Sequence, residues 1–193
     1  GFDTTAANVT WALHEMSASG KWQDRVREEA LASGGDSTEK VLKRAETRKA
    51  VQEALRLYPS AWGMTRTAVA DTLLGGEIAV PKGAHLMLSP YALHRDPRYW
   101  ESPEKFQPER FEQPPQPFTY IPFGHGGRIC IGQQIAKIQA TWIVSAFTRE
   151  FRIIPPAGQA PVFTGGIILA SKKPLVYKLD RIAEKRPLGM MNE

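Results

Sequence analysis

The sequence contains a single cysteine, Cys130, among its 193 residues. One cysteine cannot form an intramolecular disulfide or build a cysteine-rich zinc module, so both kinds of scaffold are excluded. No apolar run approaches the ~20 residues that a membrane-spanning helix needs, and the first residues lack the basic segment and apolar core of a secretory signal. These absences predict a protein of a reducing compartment. We expect a cytoplasmic location, with any membrane anchor in a segment outside this chain.

Positive charge is in slight excess but is not concentrated. The 25 Lys and Arg residues outnumber the 20 Asp and Glu residues, which gives a formal net charge of +5. They form no block of like charge and no basic stripe interleaved with aromatic side chains, so we expect no nucleic acid as a partner. With 42% hydrophobic and 23% charged residues, the composition is that of a globular protein.

Hydrophobic periodicity divides the chain into helical and strand-rich parts. Apolar residues three and four apart predict a helix over 1–18 and further helices within 22–58, where Asp36 and Glu39 have capping-box spacing. Short alternating runs predict a hairpin sheet over 64–93. An amphipathic helix follows a glycine cluster within 123–148, and terminal strands are expected over 153–179. The predicted fold class is mainly α with small β-sheets.

A proline-rich segment covers residues 97–122 and holds seven of the 15 prolines. This density forbids a regular helix or a central strand. Aromatic residues are interleaved with the prolines, which predicts a coil pinned by its rings rather than a disordered linker. These aromatic residues are Trp100, Phe106, Phe111, Phe118 and Tyr120.

Cys130 lies in the segment 123–132, which reads F-G-H-G-G-R-I-C-I-G. The unpaired amides and the dipole of a helix N-terminus favour a thiolate, and a thiolate is the form of cysteine that binds metals. Gly126 and Gly132 would let the backbone approach a flat macrocycle closely, and Arg128 could pair with a carboxylate on its rim. Haem held by a cysteine thiolate is a known centre for O–O bond cleavage.

Five positions of this segment form one pattern: Phe123, Gly126, Arg128, Cys130 and Gly132. At a usage of roughly one in twenty per position, it arises by chance in about three windows per ten million. The pattern resembles the haem-binding signature of the cytochrome P450 family, F-x-x-G-x-R-x-C-x-G. The resemblance implies that Cys130 is the axial ligand of haem b. His125 occupies a free position of the signature, where it either contacts the haem or faces solvent.

Two further constellations are similar to those of the family. Glu53 and Arg56 stand three residues apart on a predicted helix, and Arg110 follows in the proline-rich coil. The resemblance implies that these three form a buried charged network that supports the cysteine loop. Asp3 and Thr4 resemble the acid and alcohol of the family's distal helix, which relay protons for oxygen activation. The resemblance thus assigns them catalytic roles.

The resemblance also implies the surroundings of the haem. Arg66 matches the position of an arginine that binds a haem propionate. Two segments are expected to contact a lipophilic substrate through apolar or small residues. One follows the predicted helix that carries Glu53 and Arg56, and the other is the last hairpin. These residues are Ala61, Trp62, Gly63, Met64, Ile167 and Ile168. Arg128 and Lys137 are expected on a docking face for an acidic electron donor.

The function that follows is that of a haem-dependent monooxygenase, which activates O2 at a cysteine-ligated iron and inserts one oxygen atom into a lipophilic substrate. We expect the chain to be the C-terminal half of the cytochrome P450 fold, completed by the remaining N-terminal half of the domain. A ferredoxin, a flavodoxin-like protein or a flavin reductase would supply electrons. Two alternatives stay open: a peroxide-driven peroxygenase, and a haem-binding but catalytically incomplete fragment.

Overall fold

The computed structural model describes residues 1–155, 161, 163–166 and 168–182. Its fold is mainly α-helical with small antiparallel sheets, which confirms the predicted fold class. The α-helices are α1 (Phe2–Ala18), α2 (Gly20–Ala32), α3 (Thr38–Leu42), α4 (Ala45–Leu57), α5 (Pro90–Leu93) and α6 (Gln133–Glu150). The strands are β1 (Met64–Thr67), β2 (Thr72–Leu74), β3 (Ile78–Val80), β4 (His85–Leu88), β5 (Phe151–Ile154), β6 (Phe163–Gly165), β7 (Leu169–Ser171) and β8 (Lys178–Arg181).

The main core lies where α1, α2, α4 and α6 meet. Its buried members are small or β-branched residues together with Trp22 and Met16, so the helices approach closely. A second buried cluster joins Trp11 of α1 to Leu57, Tyr58 and Leu169, and thereby attaches the terminal strands to the helices. Within the described residues, no helix combines the length and apolar character that crossing a membrane requires.

The predicted capping box at Asp36 is wrong. Ser37 is the N-cap of α3, and its hydroxyl accepts a hydrogen bond from the backbone of Lys40 at 3.4 Å. Asp36 instead pairs with Arg44 at 2.6 Å and with Arg149 at 3.0 Å. The Arg44 side chain is almost fully buried and therefore needs a carboxylate partner, which Asp36 supplies. Ser37, the following residue, is free to cap the helix.

The strands pair as separate two-stranded antiparallel ribbons in the described part of the chain. The sequence predicts one sheet for the hairpin region, but this region forms two ribbons. In one ribbon β1 pairs with β4. In the other, β2 pairs with β3, and both of these strands lie between β1 and β4 in the sequence. Met64 pairs with Leu88 at one end of the β1 and β4 ribbon, and Thr67 pairs with His85 at the other. Near the C-terminus, β5 pairs with β8 and β6 with β7.

The proline-rich coil packs through its aromatic rings. Trp100, Phe111 and Tyr120 contact one another with ring centroids 5.0 to 6.2 Å apart. Tyr120 also donates a hydrogen bond to the Gln52 carbonyl of α4 at 2.9 Å. Phe118 departs from the prediction because it is largely exposed, at a residue with a positive φ of 67°.

His94 links this coil to the end of α4. Its side chain has no exposed surface, Nε2 accepts a hydrogen bond from the Ile121 amide at 2.9 Å, and Nδ1 lies 3.3 Å from the Arg56 carbonyl. The acceptor role of Nε2 requires the neutral ring, with the proton on Nδ1. Burial lowers the pKa of His94 to about 3. The folded protein therefore holds His94 in its neutral form, and the bond from the Ile121 amide depends on that form.

Protonation of His94 should destabilise the protein in acid. His94 binds a proton near pH 6.5 in the unfolded chain but not in the folded protein. Its contribution to the free energy of unfolding is therefore complete above pH 6.5. Below that pH the contribution falls by about 1.4 kcal/mol per pH unit until the folded pKa is reached. We expect the stability advantage of the wild type over His94→Gln to shrink by about 3 kcal/mol between pH 7 and pH 4. Urea unfolding at each pH measures it.

Tyr120→Phe offers a control for this measurement, because it removes the hydroxyl that bonds the Gln52 carbonyl at 2.9 Å. The difference between the wild type and Tyr120→Phe should show no such decrease, because a tyrosine hydroxyl is neutral over this whole range. A wild-type advantage over His94→Gln that stays constant with pH would contradict the assignment.

Candidate functional site

A buried carboxylate joins α4 to the proline-rich coil. Glu53 and Arg56 both have no exposed surface, and they form a two-pronged ion pair with nitrogen to oxygen distances of 2.8 and 2.9 Å. Glu53 Oε1 also accepts hydrogen bonds from Arg110 Nε at 3.0 Å and from the Gln107 amide at 2.9 Å. The structure thus brings together the three residues of the expected network and adds a backbone donor.

The Arg56 guanidinium extends the network along the coil. Its Nη1 donates hydrogen bonds to the carbonyls of His94 at 2.8 Å and Pro103 at 2.7 Å, and Nη2 donates to the Lys105 carbonyl at 3.2 Å. A charged helix residue therefore fixes backbone groups in a segment that has no regular ladder of its own. The coil path between α5 and the cysteine loop depends on these bonds.

Most of the predicted ligand-binding residues surround one cavity of about 490 Å³, which is within the usual size of small-molecule and cofactor sites. Its predicted polar or charged lining residues are Thr4, Arg66, Arg128 and Cys130. Its predicted apolar or small lining residues are Ala61, Met64, Phe123 and Gly132. Residues far apart in the chain thus meet in one site.

The cysteine loop is held by its own backbone. The Cys130 amide donates to the Phe123 carbonyl at 2.9 Å, and the Ile129 amide donates to the Gly126 carbonyl at 3.0 Å. Gly124 and Gly126 have φ values of 75° and 73°, which explains glycine at both positions. The loop presents an exposed Cys130 thiol to the cavity, two residues before the Gly132 N-cap of α6.

Two guanidinium groups line the same cavity. Among the described residues, neither Arg66 nor Arg128 pairs with a carboxylate, although Arg66 donates to the neighbouring Thr65 carbonyl at 2.8 Å. Gly132 lies beside the thiol, and a Cβ atom there would be at van der Waals distance, 3.9 Å, from Cys130 Sγ. A soft anionic ligand, two cationic donors and an apolar wall fit a flat macrocycle with carboxylates on its rim. These residues fit haem.

The first turns of α1 form another part of the wall. Thr4, Thr5 and Asn8 line the cavity, but Asp3 does not, because successive residues of a helix point in different directions. Ser60, after α4, also lines the cavity and donates from its hydroxyl to the Thr4 carbonyl at 2.8 Å. Of the expected acid and alcohol, the alcohol alone faces this space.

The expected substrate residues separate into two groups. Ala61 and Met64 line the cavity. Trp62 lies beside the last hairpin, where its indole donates to the Gly166 carbonyl at 2.8 Å. A Cβ on Gly63 would lie 2.7 Å from Met87 Cε, so this glycine permits close strand packing. Ile168 is half-buried and is not part of the cavity wall, and Ile167 lies outside the described residues.

Three remaining residues of the cysteine segment and α6 lie outside the cavity wall. His125 is exposed and packs edge-on against Phe118 with ring centroids 5.0 Å apart. Gly126 is exposed, and a Cβ atom at this residue would meet nothing within 4 Å. Lys137 places its ammonium 5.3 Å from the centre of the Phe123 ring, and burial lowers its pKa.

Sequence reasoning missed four polar residues of the wall: Thr5, Asn8, Ser60 and Gln139. Asn8 could have been found, because it follows Thr4 by four residues and so lies on the same face of α1. Ser60 carries no comparable signal. Its position follows from how α1 crosses the end of α4.

Comparison with known proteins gives a consistent result. The family model described as Cytochrome P450 matches residues 1–179. The chain is 31% identical over 188 residues to cytochrome P450 4A10 of Mus musculus and 32% identical over 192 residues to probable cytochrome P450 4p3 of Drosophila melanogaster; each match covers 94% of this chain. It is 36% identical over 197 residues to cytochrome P450 4V2 of Rattus norvegicus, with 97% of this chain covered. The chain spans 37% of the length of these relatives.

Removal of the Arg56 side chain should unfold or strongly destabilise the protein. Arg56→Ala would leave the Glu53 carboxylate buried without its main partner, at a cost of about 3 to 5 kcal/mol. Chemical denaturation measures this cost. Lys43→Ala is the control, since its partner Glu39 is one turn away on an exposed surface and such pairs contribute roughly 0.3 to 0.5 kcal/mol. Equal losses in the two variants would refute the structural role of the network.

Proposed function

Because this chain belongs to the cytochrome P450 family, we propose that it forms the haem-binding part of a monooxygenase with Cys130 as the axial ligand. Its described fold is a partial cytochrome P450 fold. The observation that carries the proposal is the convergence of Cys130, Arg66, Arg128 and Thr4 on one cavity. A thiol, a hydroxyl and two arginines that pair with no carboxylate of the described residues have no common structural reason to line an apolar space, but all are used in oxygen activation at a haem.

Cys130 and the two arginines would hold haem b. The loop bond from the Cys130 amide to the Phe123 carbonyl fixes the thiol at the cavity, two residues before the Gly132 N-cap of α6. Arg66 and Arg128 would each donate to a propionate, and Phe123 and Gly132 would pack close to the ring. When bound, haem with a thiolate ligand supplies the chemistry that cleaves the O–O bond of O2.

Thr4 and Asp3 would deliver protons to the cavity. The Thr4 hydroxyl lines the cavity and makes a long hydrogen bond of 3.4 Å to the Gly1 carbonyl, so it can turn toward a ligand. Asp3 is exposed and can take protons from water before they pass to the Thr4 hydroxyl. This acid and alcohol favour the monooxygenase over the peroxide-driven alternative, because peroxide brings its own protons.

The rest of the wall indicates the class of substrate. Leu55, Ala61, Met64 and Ile135 present apolar atoms to the cavity. Burial of apolar substrate surface against them would supply roughly 25 cal/mol per Å² of binding free energy. The substrate would therefore be a lipophilic organic molecule. Trp62 and the hairpin containing Ile167 and Ile168 would lie at the edge of the substrate pocket.

An electron donor and the remaining part of the domain are the expected protein partners. Arg128 is exposed and Lys137 lies nearby on α6, so an acidic ferredoxin, flavodoxin-like protein or flavin reductase would dock at this face. The cytoplasmic location stays a prediction from the sequence.

Loss of the Cys130 thiol should abolish thiolate ligation. Cys130→Ser should lack the thiolate signature in the reduced carbon monoxide difference spectrum, because a hydroxyl is a far weaker metal ligand at neutral pH. Gly127→Ala is the control, since a Cβ at Gly127 meets nothing within 4 Å. It should keep the signature. A Cys130→Ser protein with an unchanged thiolate spectrum would contradict the proposal.

Removal of the Thr4 hydroxyl should uncouple electron use from product formation. In Thr4→Ala we expect the product formed per reducing equivalent to fall by about tenfold or more, with the missing equivalents recovered as hydrogen peroxide. Thr10→Ala is the control, because Thr10 lies on α1 outside this cavity and bonds the Ala6 carbonyl at 2.9 Å. Unchanged coupling in Thr4→Ala would remove Thr4 from proton delivery.

A further inference from the structure

Asn8 has an unsatisfied polar atom at the wall of the cavity. Its side chain is 3% exposed and lies on α1 one turn after Thr4. Among the described residues, none donates a hydrogen bond to its Oδ1 atom, although that atom is buried. Buried carbonyl oxygens in folded proteins nearly always have a donor, because leaving one unpaired is costly. A hydrogen-bond donor for Asn8 Oδ1 must therefore be found.

The neighbouring hydroxyl groups of the wall do not supply this donor. Thr4 and Thr5 both donate to the Gly1 carbonyl, at 3.4 and 3.1 Å. Ser60 donates to the Thr4 carbonyl at 2.8 Å. In this arrangement each hydroxyl donates to a backbone oxygen and none donates to Asn8, although the long Thr4 bond can give way to a ligand. A donor for Asn8 has to come from whatever fills the cavity.

The charge of the cavity restricts the chemistry of that donor. A protonated amine would be buried here without a carboxylate partner, because the described lining includes Arg66 and Arg128 but no Asp or Glu. A neutral hydroxyl carries a donor without this penalty. It also leaves a second face of the ligand free to pack against apolar residues such as Leu55 and Ala61.

We propose that Asn8 Oδ1 accepts a hydrogen bond from an O–H group held in the cavity, either an ordered water molecule or a hydroxyl of the substrate. The inference rests on the proposed function, because it places this group in the same cavity as the haem. A substrate hydroxyl bound here would be oriented on the α1 side by Asn8, while its apolar part contacts the remaining wall. Asn8 would then be a specificity-determining residue beyond the predicted acid and alcohol.

The experiment compares two ligands that differ by one hydroxyl, benzyl alcohol and toluene, in the haem-loaded protein. Asn8→Leu removes the acceptor at similar volume. Ser17→Ala is the matched control, because Ser17 is buried on the same helix and bonds the His14 carbonyl at 2.6 Å, outside the cavity. Absorbance titration gives both dissociation constants for each protein, and a crystal structure of the ligand-free wild type shows any water near Oδ1.

If the donor is a substrate hydroxyl, Asn8→Leu should reduce the preference for benzyl alcohol over toluene by about 3- to 10-fold, the range of one net hydrogen bond, and Ser17→Ala should keep it. If the donor is water, the preference stays the same and the crystal structure shows a water within hydrogen-bond distance of Oδ1. An unchanged preference together with no water at Oδ1 overturns the inference. A wild-type protein that binds no haem refutes the proposed function instead.

Discussion

The Glu53 carboxylate has no exposed surface and accepts four hydrogen bonds: two from Arg56, one from Arg110 and one from the Gln107 amide. A carboxylate removed from water is tolerated only when such donors replace its hydration. Arg56 directs its remaining donors to coil carbonyls, so the charge pair of α4 also organises the segment before the cysteine loop. The position of Cys130 is therefore tied to an ion pair far from it in sequence.

A second set of hydrogen bonds connects the coil to the cysteine loop. His94 accepts from the Ile121 amide, and the Ile121 carbonyl accepts from the Gly124 amide at 3.0 Å. The Phe123 carbonyl then accepts from the Cys130 amide. Each link uses a backbone group of the loop, so it depends on the loop side chains only at Gly124 and Gly126, whose positive φ values favour glycine. A rigid loop of this kind suits a ligand that must hold a metal at a fixed place, since preorganisation lowers the cost of binding.

The cavity wall combines apolar side chains with arginines and polar side chains, a mixture that a purely hydrophobic core does not contain. Apolar side chains of α4, β1 and α6 favour burial, whereas the arginines and the polar residues of α1 need partners. A haem with anionic propionates would satisfy the arginines, and an O–H group would satisfy Asn8. The polar residues thus divide between the cofactor and the molecule that reacts beside it. This division is what the cytochrome P450 membership of the chain leads one to expect at its cavity.

Patterns in the sequence predict the fold class and eight of the 18 residues of the cavity wall, Cys130 among them. The turns at Gly124 and Gly126 can be predicted from the glycines themselves, because their φ values of 75° and 73° are ones that most other residues avoid. The Glu53 and Arg56 pair can be predicted because helical spacing fixes it. Other features depend on how distant segments pack. Ser60 reaches the Thr4 carbonyl across 56 positions, and Asp36 is the partner of a buried arginine rather than a cap. Such outcomes cannot be read from spacing in one segment.

The central claim is that Cys130 holds iron in this cavity through its sulfur. X-ray absorption at the iron edge of the haem-loaded protein tests it most directly, because sulfur and nitrogen neighbours of iron scatter differently. The account predicts one sulfur ligand in the wild type and its loss in Cys130→Ser. A first coordination shell made only of nitrogen and oxygen in the wild type would contradict it.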